Sequence, residues 1–233
     1  MIRYALPLCL LLAASCDSGD IYPEQRHPEE VQMNIHATFR FANTGAFPQN
    51  YRIVWGAFTG TSPYPLAFET VAPAGDTWNA TPLQTVPRGA DRMALALAEK
   101  NENKTRYVFR EFRIDNTVPD MNIAETVDLA TFSRIQAQVF TPQCIQCHGA
   151  GGMAAGLNLT EGNAYGQLAG VPANADNSDK YRVAKHSIRN SFLIDVLTSR
   201  PETVTTNHTT LSTLDAADDV ALISAWIMSG NTE

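Results

Sequence analysis

The sequence predicts two domains of different classes, an all-β sandwich over residues 31–118 and an all-α domain over residues 119–233. Up to about Ile114, apolar and polar residues alternate with the period of a β-strand, whereas after Thr131 apolar residues recur at the spacing of an α-helix. The chain has 233 residues, of which 44% are hydrophobic. This is enough apolar material for one large core or two small ones.

The first residues are typical of an export signal. A short positive start ending at Arg3 precedes an apolar run over residues 4–14, which is too short to span a bilayer and fits a secretory signal peptide. Ala13, Ala14 and Ser15 then stand directly before Cys16. This resembles the lipobox of bacterial lipoproteins, in which the chain is cut before a cysteine that is then lipidated, although Ala13 stands where leucine is usual.

We therefore predict a signal peptide over residues 1–15, lipidation of Cys16 and a lipid-anchored tether over residues 16–30. A plain signal peptide that leaves Cys16 as a free thiol is the alternative. The tether is polar and contains Pro23 and Pro28, a composition typical of linkers. These features predict a protein on the periplasmic side of the bacterial cell envelope, held to a membrane by acyl chains.

Five short strands predict the sandwich. The first covers residues 31–41, and the others are predicted over residues 51–58, 66–71, 93–97 and 105–114. In pattern alone, these strands and their turns resemble immunoglobulin or fibronectin-type modules. A linker over residues 115–120, which contains Pro119, closes the predicted domain.

Three segments predict the helical domain. Residues 131–144 and 187–198 both have apolar residues at helical spacing. The third segment is the clearest, because Val220, Ile223 and Trp226 lie on one stripe and Gly230 stands where a helix would stop.

Charge and cysteine content exclude several classes of function. The net charge of −7 argues against nucleic-acid binding, which needs clustered Lys and Arg. The four cysteines are too few for a disulfide scaffold. Cys9 lies in the predicted signal peptide and Cys16 is predicted to carry lipid, so Cys144 and Cys147 need a separate explanation.

Cys144, Cys147 and His148 form a CxxCH motif, the pattern of covalent haem attachment. Two thiols three residues apart at a helix start can reach the two vinyl groups on one edge of a haem, and the next imidazole can then bind the iron. A thioredoxin-like site would need a βαβ context and a zinc site would need a second pair of ligands, and the sequence indicates neither. The motif predicts one covalent haem c, attached through Cys144 and Cys147 with His148 as an iron ligand.

Several short stretches around and after this motif match a known pattern. They are CIQCHG at 144–149, GLNL at 156–159, LS at 211–212 and AWI at 225–227. With these, the chain from about Phe132 to Gly230 resembles a class I-like monohaem cytochrome c domain of the planctomycete bacterial type. The resemblance implies a helical domain that holds the haem in a hydrophobic crevice.

The sixth iron ligand departs from that family pattern. Where the family has a Met-Pro-Pro loop, this chain has TNHTT at residues 206–210, without methionine. We favour His208, which lies sixty residues after His148 on a loop before the closing helix, and His186 is the alternative. An open or water-bound position is a further possibility. Two methionines suit the role less well: Met153, which is too close to the motif, and Met228, which fits a helix core.

With both axial positions filled, substrates could not reach the iron, so the sequence predicts an electron carrier rather than an enzyme. Its partners would be other redox proteins. A haem with two histidine ligands should have a lower reduction potential than a His/Met haem, because methionine ligation raises the potential. A peroxidase-like haem enzyme or gas sensor with an open distal site is one alternative, and an assembly subunit whose sandwich binds a partner is another.

Overall fold

The computed structural model describes residues 34–71, 77–83, 86–115, 120–151, 154–173, 179–210 and 216–233. The predicted signal peptide, Cys16 and the tether lie outside these residues, as does Met153. Among the described residues, no helix has both the length and the apolar character needed to cross a membrane.

Seven strands of the described chain form two sheets. The strands are β1 (Asn34–Ala42), β2 (Tyr51–Phe58), β3 (Ala67–Val71), β4 (Thr77–Leu83), β5 (Arg92–Glu99), β6 (Thr105–Arg113) and β7 (Asp120–Asp128). The first sheet has the order β4-β1-β7, in which β1 is antiparallel to β4 and parallel to β7. The second sheet has the order β3-β2-β5-β6, and its neighbouring strands are antiparallel.

The alternation predicted for the first strand is confirmed. Ile35, Phe39 and Phe41 are buried, whereas His36 and Arg40 on the opposite face are exposed. Strands β2, β3, β5 and β6 also form in the segments predicted for them. Strands β4 and β7 were not predicted.

A helical segment follows β7 and carries the CxxCH motif at its end. Its three parts are α1 (Phe132–Ile135), a π-helical stretch (Gln136–Cys144) and α2 (Ile145–His148). Thr131 caps the start, because its hydroxyl accepts a hydrogen bond from the Arg134 N–H at 3.2 Å. Pro142 lies inside the π-helical stretch. The wider coil accommodates a residue that has no N–H donor and whose ring crowds the preceding turn.

The remaining helices are short except for the last. They are α3 (Ala164–Leu168), α4 (Phe192–Thr198) and α5 (Ala216–Ser229). Single turns of 3-10 helix occur at Thr44–Ala46, Ala154–Gly156 and His208–Thr210. Isolated β-bridges, such as those joining Ala169 to Val183 and Pro172 to Tyr181, connect the chain between α3 and α4.

One hydrophobic core runs through both sheets and the helices. Phe39 and Trp55 meet edge to face in the sandwich, with ring centroids 5.2 Å apart. Phe132 of α1 and Trp226 of α5 are also 5.2 Å apart, and they belong to the same buried cluster as the sandwich pair. Residues 31–233 form one compact unit.

The predicted fold class, an immunoglobulin-like sandwich followed by an all-α cytochrome c-like domain, is therefore wrong. The segment after residue 119 supplies β7 to the first sheet and contains β-bridges, so the fold is mixed α and β, and no separate all-α domain is evident among the residues that the structure describes. The physical reason lies in β7. Ile123 and Val127 project into the shared core, and β7 pairs along the length of β1.

Candidate functional site

The CxxCH motif emerges from the core at the end of the helical segment. Val139 and Phe140, in the π-helical stretch, are buried. Cys144 is half-buried, and Cys147 is exposed. Both thiols are free in this structure. The helical segment is therefore packed into the core at Val139 and Phe140, while the motif is exposed to solvent at Cys147.

Burial holds the Cys144 thiol in its protonated form. Removal from water raises the pKa of Cys144 to about 12, and the nearby Asp219 carboxylate and Cys147 raise it further. The sulfur lies 3.7 Å from the Val139 carbonyl oxygen, to which the thiol can donate a weak hydrogen bond. Cys144 is thus a neutral thiol at physiological pH.

His148 is oriented by the chain that follows the motif. Its Nδ1 lies 3.1 Å from the carbonyl oxygen of Ala154, so Nδ1–H donates and Nε2 keeps its lone pair. Burial lowers the pKa of His148; the carbonyls of Ala154 and Leu157 oppose this effect, and the neighbouring His208 adds to it. The resulting neutral imidazole is the form that binds a metal.

Gly149 is required directly after His148. A Cβ at this position would lie 2.5 Å from the carbonyl oxygen of Ile145, which is far inside contact distance. Any larger residue would push the backbone away from the end of α2. Gly149 belongs to the CIQCHG stretch at 144–149, but this backbone role was not predicted from the sequence.

The structure brings His208 to His148. The two rings have centroids 6.2 Å apart and planes only 22° from parallel. The Nδ1 atom of His208 is buried and has no hydrogen-bond partner in the described part of the chain. Asn207 shapes the turn that presents the ring, since its Oδ1 accepts hydrogen bonds from both N–H and Oγ1–H of Thr209, at 3.1 Å and 2.8 Å.

His186, the alternative ligand, contacts the end of α5 instead. Its Nδ1 lies 2.9 Å from the Met228 carbonyl oxygen, and its backbone N–H donates to the Ile227 carbonyl at 3.0 Å. A Cβ on Gly230 would lie 2.9 Å from the imidazole of His186. His186 therefore satisfies carbonyls at the helix C-terminus. Met228 belongs to this same turn.

The His148 and His208 imidazoles are donors of the type that binds a haem iron. No group of three or more His, Cys, Asp or Glu side chains suited to a metal occurs among the residues described. A haem iron takes only one or two ligands from the protein, because the porphyrin supplies the others. With metal–nitrogen bonds of about 2 Å and each nitrogen about 1 Å from its ring centre, two axial imidazoles have centroids about 6 Å apart. The His148–His208 separation matches this requirement.

The described part of the chain also has cavities away from the motif. One of about 530 Å³ is lined by residues of the segment that leads to His208, namely Arg200, Pro201, Glu202, Val204 and Thr205. Another, of about 340 Å³, lies on the outer face of the second sheet, between β5, β6 and the loop that contains Pro63.

Comparison of the chain with protein-family models, with curated proteins and with solved structures finds no match. The resemblance to monohaem cytochromes thus depends on the motif residues themselves.

Proposed function

We propose that this chain is a monohaem c-type cytochrome that transfers electrons in the bacterial cell envelope. The observation that carries the proposal is the arrangement of two imidazoles, from His148 of a CxxCH motif and from His208, with ring centroids 6.2 Å apart. Sixty residues of sequence separate them. If a haem is held by the motif cysteines, these two imidazoles would be the residues that bind its iron.

Cys144 and Cys147 would hold the group in place. Each thiol would add across one vinyl group, so that its sulfur forms a C–S bond and its hydrogen goes to the neighbouring carbon. Such an addition would consume no oxidant or reductant. When bound, a haem supplies a one-electron Fe(III)/Fe(II) couple. His148 would bind the iron through Nε2, with the Ala154 carbonyl holding the ring in the required tautomer.

The second imidazole supports electron transfer over catalysis. If both His148 and His208 bind the iron, they would leave it no free coordination position for a substrate or a gas. Partners would be other redox proteins, and the net charge of −7 favours partners with basic docking surfaces. Lipidation of Cys16 would keep the protein at a membrane of the envelope, within reach of those partners.

The test is absorption spectroscopy of the exported protein, expressed with haem-maturation machinery. The wild type should be low-spin in both oxidation states and should bind no carbon monoxide. The His208→Ala variant should become high-spin and bind carbon monoxide, because its sixth position is open. The matched variant His186→Ala should keep the wild-type spectrum, since His186 contacts the end of α5.

Two results would contradict the assignment. A low-spin His208→Ala protein that ignores carbon monoxide would exclude His208 as the ligand. Rapid binding of carbon monoxide or cyanide by the wild type would indicate a haem enzyme or gas sensor with an open position.

If His208 is the ligand, the His208→Met variant should have a higher midpoint potential than the wild type.

A further inference from the structure

Residues 180–190 form a basic segment on the surface of an acidic chain. The whole chain has a net charge of −7, yet this segment contains no Asp or Glu. Its four cationic residues are Lys180, Arg182, Lys185 and Arg189. Lys180 pairs with Asp195 at 2.6 Å. Lys185 and Arg189 are exposed and form no ion pair with any residue in the described part of the chain.

Hydrogen bonds to a buried serine fix the backbone of this segment. Ser191 is fully buried. Its hydroxyl donates to the Ser187 carbonyl at 2.7 Å and accepts the backbone N–H of Ala184 at 2.9 Å. The Tyr181 N–H donates to the Asn190 carbonyl at 3.1 Å, which joins the two ends of the segment. The cationic side chains are therefore carried by an ordered backbone.

Exposed apolar side chains lie beside these cations. Tyr181 is 46% exposed, Ile188 is 37% exposed, and Met228 at the end of α5 is 51% exposed. The Nδ1 atom of His186 lies 2.9 Å from the Met228 carbonyl oxygen, so the end of α5 adjoins the segment. Residues 180–190 and Met228 together form a surface that is both cationic and apolar, which is called the basic patch below.

We propose that the basic patch docks on a lipid bilayer that contains anionic phospholipids. Such a bilayer presents phosphate groups to Lys and Arg side chains, and its interface accommodates tyrosine and aliphatic side chains. Salt at physiological concentration screens exposed charges over about 8 Å. Acidic groups farther from the patch than this distance therefore weaken the attraction little.

This inference goes beyond the proposed function. The attraction depends on the patch residues alone, and it needs neither a haem nor acyl chains on Cys16. Lipidation of Cys16, as proposed, would bring the patch close to a bilayer, and the patch would then orient the protein on it.

The experiment is co-sedimentation of the mature chain with vesicles. The chain carries Cys16→Ser and is exported behind a signal peptide that is cleaved without lipidation, so that no acyl chain anchors it. It should bind vesicles of phosphatidylglycerol and phosphatidylcholine in low salt, and high salt should weaken this binding. It should not bind vesicles of phosphatidylcholine alone.

Substitutions in the patch test whether these residues cause the binding. Lys185→Gln and Arg189→Gln should each weaken binding to the anionic vesicles about fivefold, and the double variant about twenty-five-fold. Ile188→Ser should also weaken it, because an inserted apolar side chain is lost. Arg88→Gln is the matched control, since Arg88 is an exposed cation in the loop before β5 and should bind like the Cys16→Ser chain.

Two results would overturn the inference. One is equal binding to anionic and neutral vesicles. The other is equal binding by the Cys16→Ser chain and the variant that also lacks Lys185 and Arg189. If the chain ignores anionic vesicles but binds poly-L-glutamate through these two residues, the patch serves an acidic protein partner and the bilayer inference is wrong. None of these results bears on haem attachment, so the proposed function is decided separately by the spectra of the haem-loaded protein.

Discussion

At the scale of single residues, the two motif cysteines have different surroundings although the sequence treats them alike. Cys144 is half-buried, whereas Cys147 is exposed. The spacing of the two cysteines and the position of His148 follow directly from the CxxCH motif in the sequence. The sequence favoured His208 over His186 by position alone, and it could not predict that the His186 ring contacts the Met228 carbonyl, forty-two residues away.

This difference predicts unequal reactivity of the two thiols in the haem-free, reduced protein. Because the pKa of Cys144 is about 12, only about one Cys144 side chain in ten thousand is a thiolate at pH 8. The alkylation rate of Cys144 should therefore rise about tenfold for each pH unit. Iodoacetamide should therefore label Cys147 well before Cys144, as read by mass spectrometry of Cys144→Ser and Cys147→Ser variants. Equal rates for the two single-thiol proteins at pH 8 would contradict the burial of Cys144.

At the scale of elements, polar side chains join the helices to the segment between β1 and β2. Arg134 of α1 reaches the carbonyl of Ala46 at 3.0 Å, and Asp218 of α5 accepts the N–H groups of Gln49 and Asn50. Sequence patterns locate helices and strands, but such long-range contacts leave no periodic signal. Strand β7 does show a periodic signal in the sequence, because Ile123 and Val127 follow a period of two residues. Its parallel pairing with β1 could not be predicted.

Loss of the Asp218 side chain should cost stability. The Asp218→Ala variant leaves two backbone N–H groups without their acceptor, so the free energy of unfolding should fall by about 1–3 kcal/mol. Urea denaturation followed by circular dichroism measures the change. Asp195→Ala is the matched control, because Asp195 forms a surface ion pair with Lys180, and its loss should cost less than about 1 kcal/mol. Equal stabilities of Asp218→Ala and wild type would show that Asp218 does not hold the loop before β2.

At the scale of the whole molecule, the two halves share one core. Phe132 lies within 5.3 Å of the rings of Tyr165 and Trp226, and it belongs to the same buried cluster as Trp55. The sequence predicted two domains because its periodicity changes near residue 120. A change in periodicity marks a change in local structure, and it does not tell whether the apolar faces on either side meet.

A shared core predicts one cooperative unfolding transition for residues 31–233. In haem-free variants that keep either Trp55 or Trp226 as the only tryptophan, fluorescence should report the same denaturation midpoint. Phe132→Ala should lower the stability by about 3–5 kcal/mol, and it should shift both reporters equally. A shift seen by Trp226 but not by Trp55 would show that the halves unfold independently.

Covalent attachment of haem to Cys144 and Cys147, as proposed, is tested most directly on a denaturing gel. The exported chain is expressed with haem-maturation machinery, denatured fully, and separated on a gel stained for haem peroxidase activity. We expect a haem-stained band that migrates with the polypeptide and disappears in the Cys144→Ser, Cys147→Ser double variant. A wild-type polypeptide band without haem stain would show that no haem is attached.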